Sequence, residues 1–360
     1  MIIKTYKLYL IKKFINIFLK TSLIFASLVF VLNFIEEFNF LKDNNADFIT
    51  PFILTFLNIP SIIYDLFPFI ILITTQFFYL ELSEKNEILI FKSFGLSNSK
   101  ILSLISMLAF ILGIFLVLIF YNFASKMKFV YFDLKNQFSN DNKYLAVITE
   151  NGIWIKDETE FNINIINAEK INKNYLENVT ITQFNKNYFL EKSMLANRAN
   201  ILNKKWILKD VSITENKKQT IQFKDFELET HFDIEKINSL FSNLSSLTFW
   251  QLKKLENEYE NLGYSLTDIK IHNQKIFAYP VYLLTMVLSA ALIMLNIKFN
   301  RSKTFHLFLG IFMSVTIYYI NYFSNVLGQN EKVPVAISIW FPLALLLMIN
   351  AISLTKINDN

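Results

Sequence analysis

ILSLISMLAFILGIFLVLIFYNFAS, residues 101–125, carries no charge along its whole length. About 20 apolar residues in a helix cross the roughly 30 Å hydrocarbon core of a bilayer, so this run is long enough to span one. The neighbouring sequence repeats the pattern. Ile276 to Ile297 and Val333 to Thr355 are equally uncharged, and so is Thr304 to Asn330, with His306 near its start. Nearer the N-terminus, Thr21 to Ile35 is short, but Phe14 to Leu19 extends it, with Lys20 placed to snorkel. Leu66 to Leu80 is extended backwards past Asp65 by Ile59 to Tyr64. Six transmembrane helices are predicted, three before and three after a central block.

The composition agrees. The chain of 360 residues is 53% apolar and 18% charged, against about 45–50% and about 25% for an ordinary soluble domain. A soluble globular enzyme is excluded. The absence of cysteine excludes a disulfide framework, a thiolate metal site and a cysteine nucleophile. His231, His272 and His306 are far apart in sequence, which argues against a histidine-rich metal site. Only two arginines occur, Arg198 and Arg301, amid abundant Lys, Ile, Asn and Phe, a compositional bias rather than a functional signature. A cleavable signal peptide fits the first span poorly, because no small-residue cleavage site follows and Glu36-Glu37 ends it.

Lysine and arginine orient the spans. Lys4, Lys7, Lys12, Lys13, Lys20, Lys85, Lys92, Lys100, Lys298, Arg301, Lys303 and Lys356 fall on one side, against Lys42 and Lys332 in the short loops of the other. The first side is expected to be cytoplasmic, with both termini inside and the central block outside. The net charge of +5 is then mostly a matter of topology, and nucleic acid drops out as a partner.

The central block alternates apolar and polar residues in YLAVIT (144–149), GIWIKD (152–157), FNINII (161–166), NVTITQF (178–184), KWILKDVSITE (205–215) and TIQFKDFELE (220–229). That is the period of half-buried strands. The expected fold class is therefore a polytopic α-helical membrane protein with an inserted all-β domain, a sandwich or jelly roll. Asn178-Val179-Thr180 matches a glycosylation sequon, but inside a predicted strand. From about Ser245 to Gln274 the pattern turns helical. The expected divisions are residues 1–125, with helices one to three; 126–244, the β-domain; 245–275, a helical linker; and 276–360, with helices four to six.

Motifs for chemistry are missing. No phosphate-binding G-x-x-x-x-G-K-[ST] loop, G-x-S-x-G elbow or H-E-x-x-H occurs. Asp157, Glu158 and Glu160 read as a solvated turn. No carboxylate is expected at mid-depth in the membrane, as a proton- or sodium-coupled carrier would need; Asp65 and Glu36-Glu37 lie at span ends. No catalytic residue, metal ligand or cofactor is assigned.

ELSEKNEILIFKSFGLSNSKI (81–101) is the most informative loop. It predicts a short amphipathic helix with Ile88, Leu89, Phe91 and Phe94 apolar and Glu84, Glu87 and Lys92 charged. Gly95 ends it, and Ser97 is placed to cap span three. Such a helix either lies on the membrane surface or inserts into a groove of a cytoplasmic motor.

The same stretch resembles the E-L-x-x-x-x-x-x-G-x-S segment of the LptF/LptG lipopolysaccharide-export permeases, with Glu87, Ile88, Gly95 and Ser97 at the matching positions. YLIKKFINIFLKTSLIFASLVFVLNFIEEF (9–38) resembles that family's first helix. Pro60 and Pro68 match two prolines around its second, and NGIWIKDETEF (151–161) the opening strands of its periplasmic jelly roll. Residues 262–290 resemble the approach to helix four, and VPVAISIWFPLALLL (333–347) resembles helix six. FIEEFNFL after helix one is similar to the LptG type more than the LptF type.

The resemblance implies an inner-membrane permease subunit that pairs with its paralogue, LptF-type if this chain is LptG-type. A dimeric LptB-type ATPase beneath would hold the ATP and Mg. Lipopolysaccharide would be extracted from the membrane and passed to a periplasmic jelly-roll bridge of LptC/LptA type. Coupling to the ATPase falls on Glu84, Glu87, Gly95 and Ser97, and the substrate cavity on Asn33, Lys42, Leu66 and Phe67. LptG-type members often carry basic residues towards the outer end of helix one. Here Lys42 is the nearby cation, beside the repelling Glu36 and Glu37. Rival classes are a mechanotransmission ABC membrane subunit, typically with four spans, and a non-transporting receptor or scaffold with an extracytoplasmic β-domain.

Overall fold

The computed structural model describes residues 2–42, 47–138, 153–158, 162–172, 174–215, 220–234, 237, 243–262, 265–295 and 303–358. They form two compact units, Met1–Met127 with Thr267–Asn360, and Lys128–Leu266. The chain runs through helices α1 (Ile2–Leu41), α2 (Thr50–Glu84), α3 (Glu87–Ser93), α4 (Asn98–Phe115) and α5 (Tyr121–Gln137). Six strands follow, β1 (Ile153–Glu158), β2 (Asn162–Asn172), β3 (Tyr175–Asn185), β4 (Leu190–Asn200), β5 (Lys205–Glu215) and β6 (Ile221–Glu229). Helices α6 (Phe249–Leu262), α7 (Thr267–Leu295), α8 (Lys303–Gln329) and α9 (Val335–Asn358) complete it.

Six helical stretches are long and apolar enough to cross a membrane: Thr5–Leu41, Thr50–Glu84, Asn98–Lys135, Thr267–Leu295, Thr304–Gln329 and Val335–Thr355. These are the six expected. The third runs through α4, a π-helical turn (Leu116–Phe120) and α5. In the membrane unit α7 packs against α2, α4, α8 and α9, and α1 packs mainly against α2. Leu19, Leu23, Leu28 and Leu32 on α1, and Phe308, Phe312 and Phe323 on α8, are exposed. Apolar surface in such continuous bands faces lipid or a partner rather than water.

Three helices carry an internal proline, which removes one N–H and frees the carbonyl four residues earlier. In hydrocarbon such a group needs another donor. Pro68 frees the Tyr64 carbonyl, and the Tyr279 hydroxyl of α7 donates to it at 2.5 Å. The two rings stack with centroids 4.5 Å apart. Pro342 likewise frees the Ser338 carbonyl, and Ser324 Oγ of α8 donates to it at 2.6 Å. Pro280 of α7 lies against Gly113 of α4, where an added Cβ would stand 2.7 Å from the Pro280 Cα. Pro68, Pro280 and Pro342 are therefore helix-packing points.

In the second unit the six strands form one antiparallel sheet in chain order, β1 to β6. The expected β-domain is present between the membrane helices, and no crossover connection links the described strands. GIWIKD, FNINII, NVTITQF, KWILKDVSITE and TIQFKDFELE fall on β1, β2, β3, β5 and β6. YLAVIT lies outside the described residues. β4 was not anticipated, because its inward positions, Met194, Ala196 and Ala199, are small or interrupted and give little alternation. Asn178 and Asp210 sit at positive φ, in the left-handed region that Asn and Asp tolerate best after Gly. At both points the strand pairing skips a residue, which returns the next apolar side chains to the buried face. Trp206 is wholly buried, and its Nε1 donates to the Phe232 carbonyl at 2.8 Å.

Thr248 and Gln251 open α6 with one half of a capping box: the Gln251 Oε1 accepts from the Thr248 backbone N at 2.9 Å and from its hydroxyl at 2.8 Å. One reading from sequence needs correction here. Asp157 is not in a solvated turn; it is fully buried, with the His231 Nδ1 at 3.0 Å from its carboxylate.

Candidate functional site

The loop between the second and third spans is built by local backbone rules. Glu84 ends α2 on an exposed turn, and Lys85 and Asn86 make the connection, Asn86 at φ 53°. α3 then runs for two turns. Its C-terminus is a Schellman closure: the Gly95 N–H donates to the Lys92 carbonyl at 2.9 Å and the Leu96 N–H to the Phe91 carbonyl at 3.0 Å. That closure needs a residue in the left-handed region, which Gly95 supplies at φ +77°. Gly95 is exposed and touches nothing that a Cβ would meet, so its role is conformational.

Ser97 occupies the N-cap position of α4 with extended backbone but makes no side-chain capping bond. The expected hydroxyl cap is therefore not formed, although the position was read correctly.

Around α3 the side chains sort by face. Ile88 and Phe91 are half-buried. Leu89, Ile90 and Phe94 are 65%, 50% and 81% exposed, an apolar knob on a short loop between two spans. Glu87 does not face solvent with them. Its carboxylate accepts from the Lys13 ammonium at 2.9 Å on both oxygens and from the Tyr9 hydroxyl at 2.9 Å. Lys13 lies 3.6 Å from Glu81, which takes Lys85 at 2.6 Å. That hydrogen bond holds the exposed Lys85 ammonium above its ordinary range. Tyr9 and Lys13 were missed in the sequence, since nothing local links Glu87 to residues so far away in the chain.

The four residues expected at the substrate cavity lie on α1 and α2 and just beyond the end of α1. Asn33 is buried on α1 and accepts from Asn58 Nδ2 of α2 at 3.3 Å. Phe67 is buried on α2 between Phe18 and Phe120, with ring centroids at 5.8 and 5.3 Å. Leu66 is half-buried, and Lys42 is exposed at the end of α1. Glu37, read as lying at the span end, is wholly buried there. A groove of about 560 Å³ lies elsewhere, lined by Ser99, Leu102, Ser106 and Phe110 of α4, Leu288 of α7 and Leu354 of α9, among others. None of the four lines it.

Two polar contacts in the membrane unit, one half-buried and one buried, were also missed. Tyr121 and the His272 Nε2 lie 2.9 Å apart. Gln76 Nε2 of α2 donates to the His306 carbonyl of α8 at 2.9 Å, and Gly310 leaves room for it: a Cβ there would lie 1.9 Å from Gln76 Nε2. The proline at Pro68 was a usable signal for the Tyr64 carbonyl, whereas Gln76 in an apolar run hinted only that a partner was needed. Among the described residues no group of His, Asp and Glu could hold a metal ion.

No curated protein matches the chain. The family model for the lipopolysaccharide export system permease LptF/LptG matches residues 8–356. That match covers nearly all of both units, including the six spans, α3 and the sheet. The chain therefore belongs to the LptF/LptG family of lipopolysaccharide export permeases.

Proposed function

We propose that this permease subunit extracts lipopolysaccharide from the inner membrane and passes it outward, driven by ATP hydrolysis in a dimeric cytoplasmic partner. The observation that carries the reading is the exposed apolar knob of α3. A surface of Leu89, Ile90 and Phe94 between two spans is costly to leave in water and has the form of a helix made to enter a groove. Glu84, exposed at the end of α2, would meet the same partner. Gly95, Glu87 and Ser97 serve the coupling by setting the shape and position of α3. ATP and Mg belong to the partner, since the chain carries no phosphate-binding loop.

The cations of the short loops favour both termini in the cytoplasm and the β-domain in the periplasm. There the sheet would hand lipid to a jelly-roll bridge protein. A paralogous permease subunit would complete the cavity against the exposed faces of α1 and α8. Asn33, Leu66 and Phe67 would border it, and Lys42 would meet a phosphate as a point charge. The short FIEEFNFL segment favours the LptG type. Six spans speak against a four-span mechanotransmission subunit, and α3 would have no partner in a passive receptor.

The test is to replace both Leu89 and Phe94 by Asp and purify the complex from membranes. The ATPase is expected to be lost while the subunit stays inserted and paired with its paralogue. Retention of the ATPase at the level of the unmodified protein would overturn the assignment of α3 as the docking element.

A further inference from the structure

α3 hangs between two short connections, yet it is fastened directly to α1. Three hydrogen bonds converge on the Glu87 carboxylate, two from Lys13 and one from Tyr9, all at 2.9 Å. The pair is shielded: the Lys13 and Glu87 side chains are 9% and 16% exposed. The Lys13 ammonium also lies over the Tyr9 ring, 5.5 Å from its centroid. An ion pair so placed holds geometry firmly, because withdrawing either partner strands the other charge away from water.

What is fastened matters as much as the fastening. α1 runs from Ile2 to Leu41 without a proline or glycine. Every other span carries a proline, a glycine or a π-helical turn: Pro60 and Pro68 in the second, a π-helical turn and Gly113 in the third, Pro280 in the fourth, Gly310 and Gly328 in the fifth, Pro342 in the sixth. Prolines and π-turns are where helices bend. Among the described residues α1 is thus the one span with no proline, glycine or π-turn, and its surface away from α2 is largely exposed. Lys13 to Asn33 is a rise of about 30 Å along such a helix, from one side of the membrane to the other.

We propose that Lys13, with Tyr9, is a positioning residue that straps α3 to α1, so that displacement of α3 by the ATPase is passed straight to α1 and to the substrate cavity at its far end. On this account Glu87 acts on Lys13 within the same chain. The proposal rests on the transport reading above and adds the route by which movement enters the membrane.

The test uses the whole complex in lipopolysaccharide-containing vesicles, with ATP hydrolysis and lipid delivery measured in parallel. Lys13→Met keeps the apolar stem and removes the charge; Tyr9→Phe removes one hydrogen bond. Lys13→Met is expected to lower the lipid delivered per ATP by at least about fivefold, the lower end of a typical coupling free energy, with Tyr9→Phe in the same direction and smaller. The exchanged pair Lys13→Glu/Glu87→Lys is expected to recover at least about half of the ratio lost in Glu87→Lys alone, and not all of it, because the acid at position 13 would face Glu81. A ratio unchanged in Lys13→Met would overturn the strap. So would an exchanged pair as impaired as Glu87→Lys, which would place the partner of Glu87 on the ATPase. An unmodified complex that delivers no lipid would instead refute the transport reading on which the strap depends.

Discussion

Tyr279 and Gly310 show how single residues hold membrane helices together without a hydrophobic driving force between them. Tyr279→Phe keeps the stack on Tyr64 but leaves the carbonyl freed by Pro68 without its donor. A loss of about 1 kcal/mol is expected, measurable as a lower unfolding midpoint in mild detergent; an unchanged midpoint would mean the carbonyl finds another donor. Gly310→Ala drives a Cβ into Gln76 and is expected to cost about 1–3 kcal/mol. Because the two residues share one contact, Gln76→Ala should relieve much of that cost, so the double variant destabilises by less than the sum of the singles. Additive losses would show that Gly310 is needed for some other reason. Tyr279 and Gly310 lie far in sequence from the residues they meet, which is why neither role could be read from the chain.

α3 was legible as an element and illegible as a mechanism. Its apolar and charged positions, and the stop at Gly95, follow from local periodicity and turn chemistry. The Schellman closure gives Gly95 a specific test. Valine at a left-handed position costs about 1–2 kcal/mol, whereas asparagine tolerates it. Gly95→Val is therefore expected to weaken ATPase retention during purification, and Gly95→Asn to preserve it. Equal impairment would assign Gly95 to direct contact. Glu87 shows where local reading stops: an exposed charge and a strapped charge have the same spacing on a helix, and only the fold brings Lys13 to it. β4 was hidden for a different reason, since Ala196 and Ala199 are buried but too small to mark a core face by pattern.

Across the whole molecule, the six spans and most of the strands were legible because hydrocarbon and a sheet face each impose a period on the chain. The substrate cavity stays a proposal: Asn33 and Phe67 are packed within this chain, and a second subunit on the exposed faces of α1 and α8 would complete it. On the proposed reading this family member works as a lipopolysaccharide-exporting subunit whose energy comes from a cytoplasmic partner engaged through α3. Purification of the complex from its own membranes in mild detergent, with mass spectrometry of the subunits and lipids that accompany it, tests this most directly. A cytoplasmic ATPase, a paralogous permease and bound lipopolysaccharide are expected, with the ATPase alone lost when Leu89 and Phe94 are replaced by Asp. A stable preparation holding neither an ATPase nor lipopolysaccharide would contradict it.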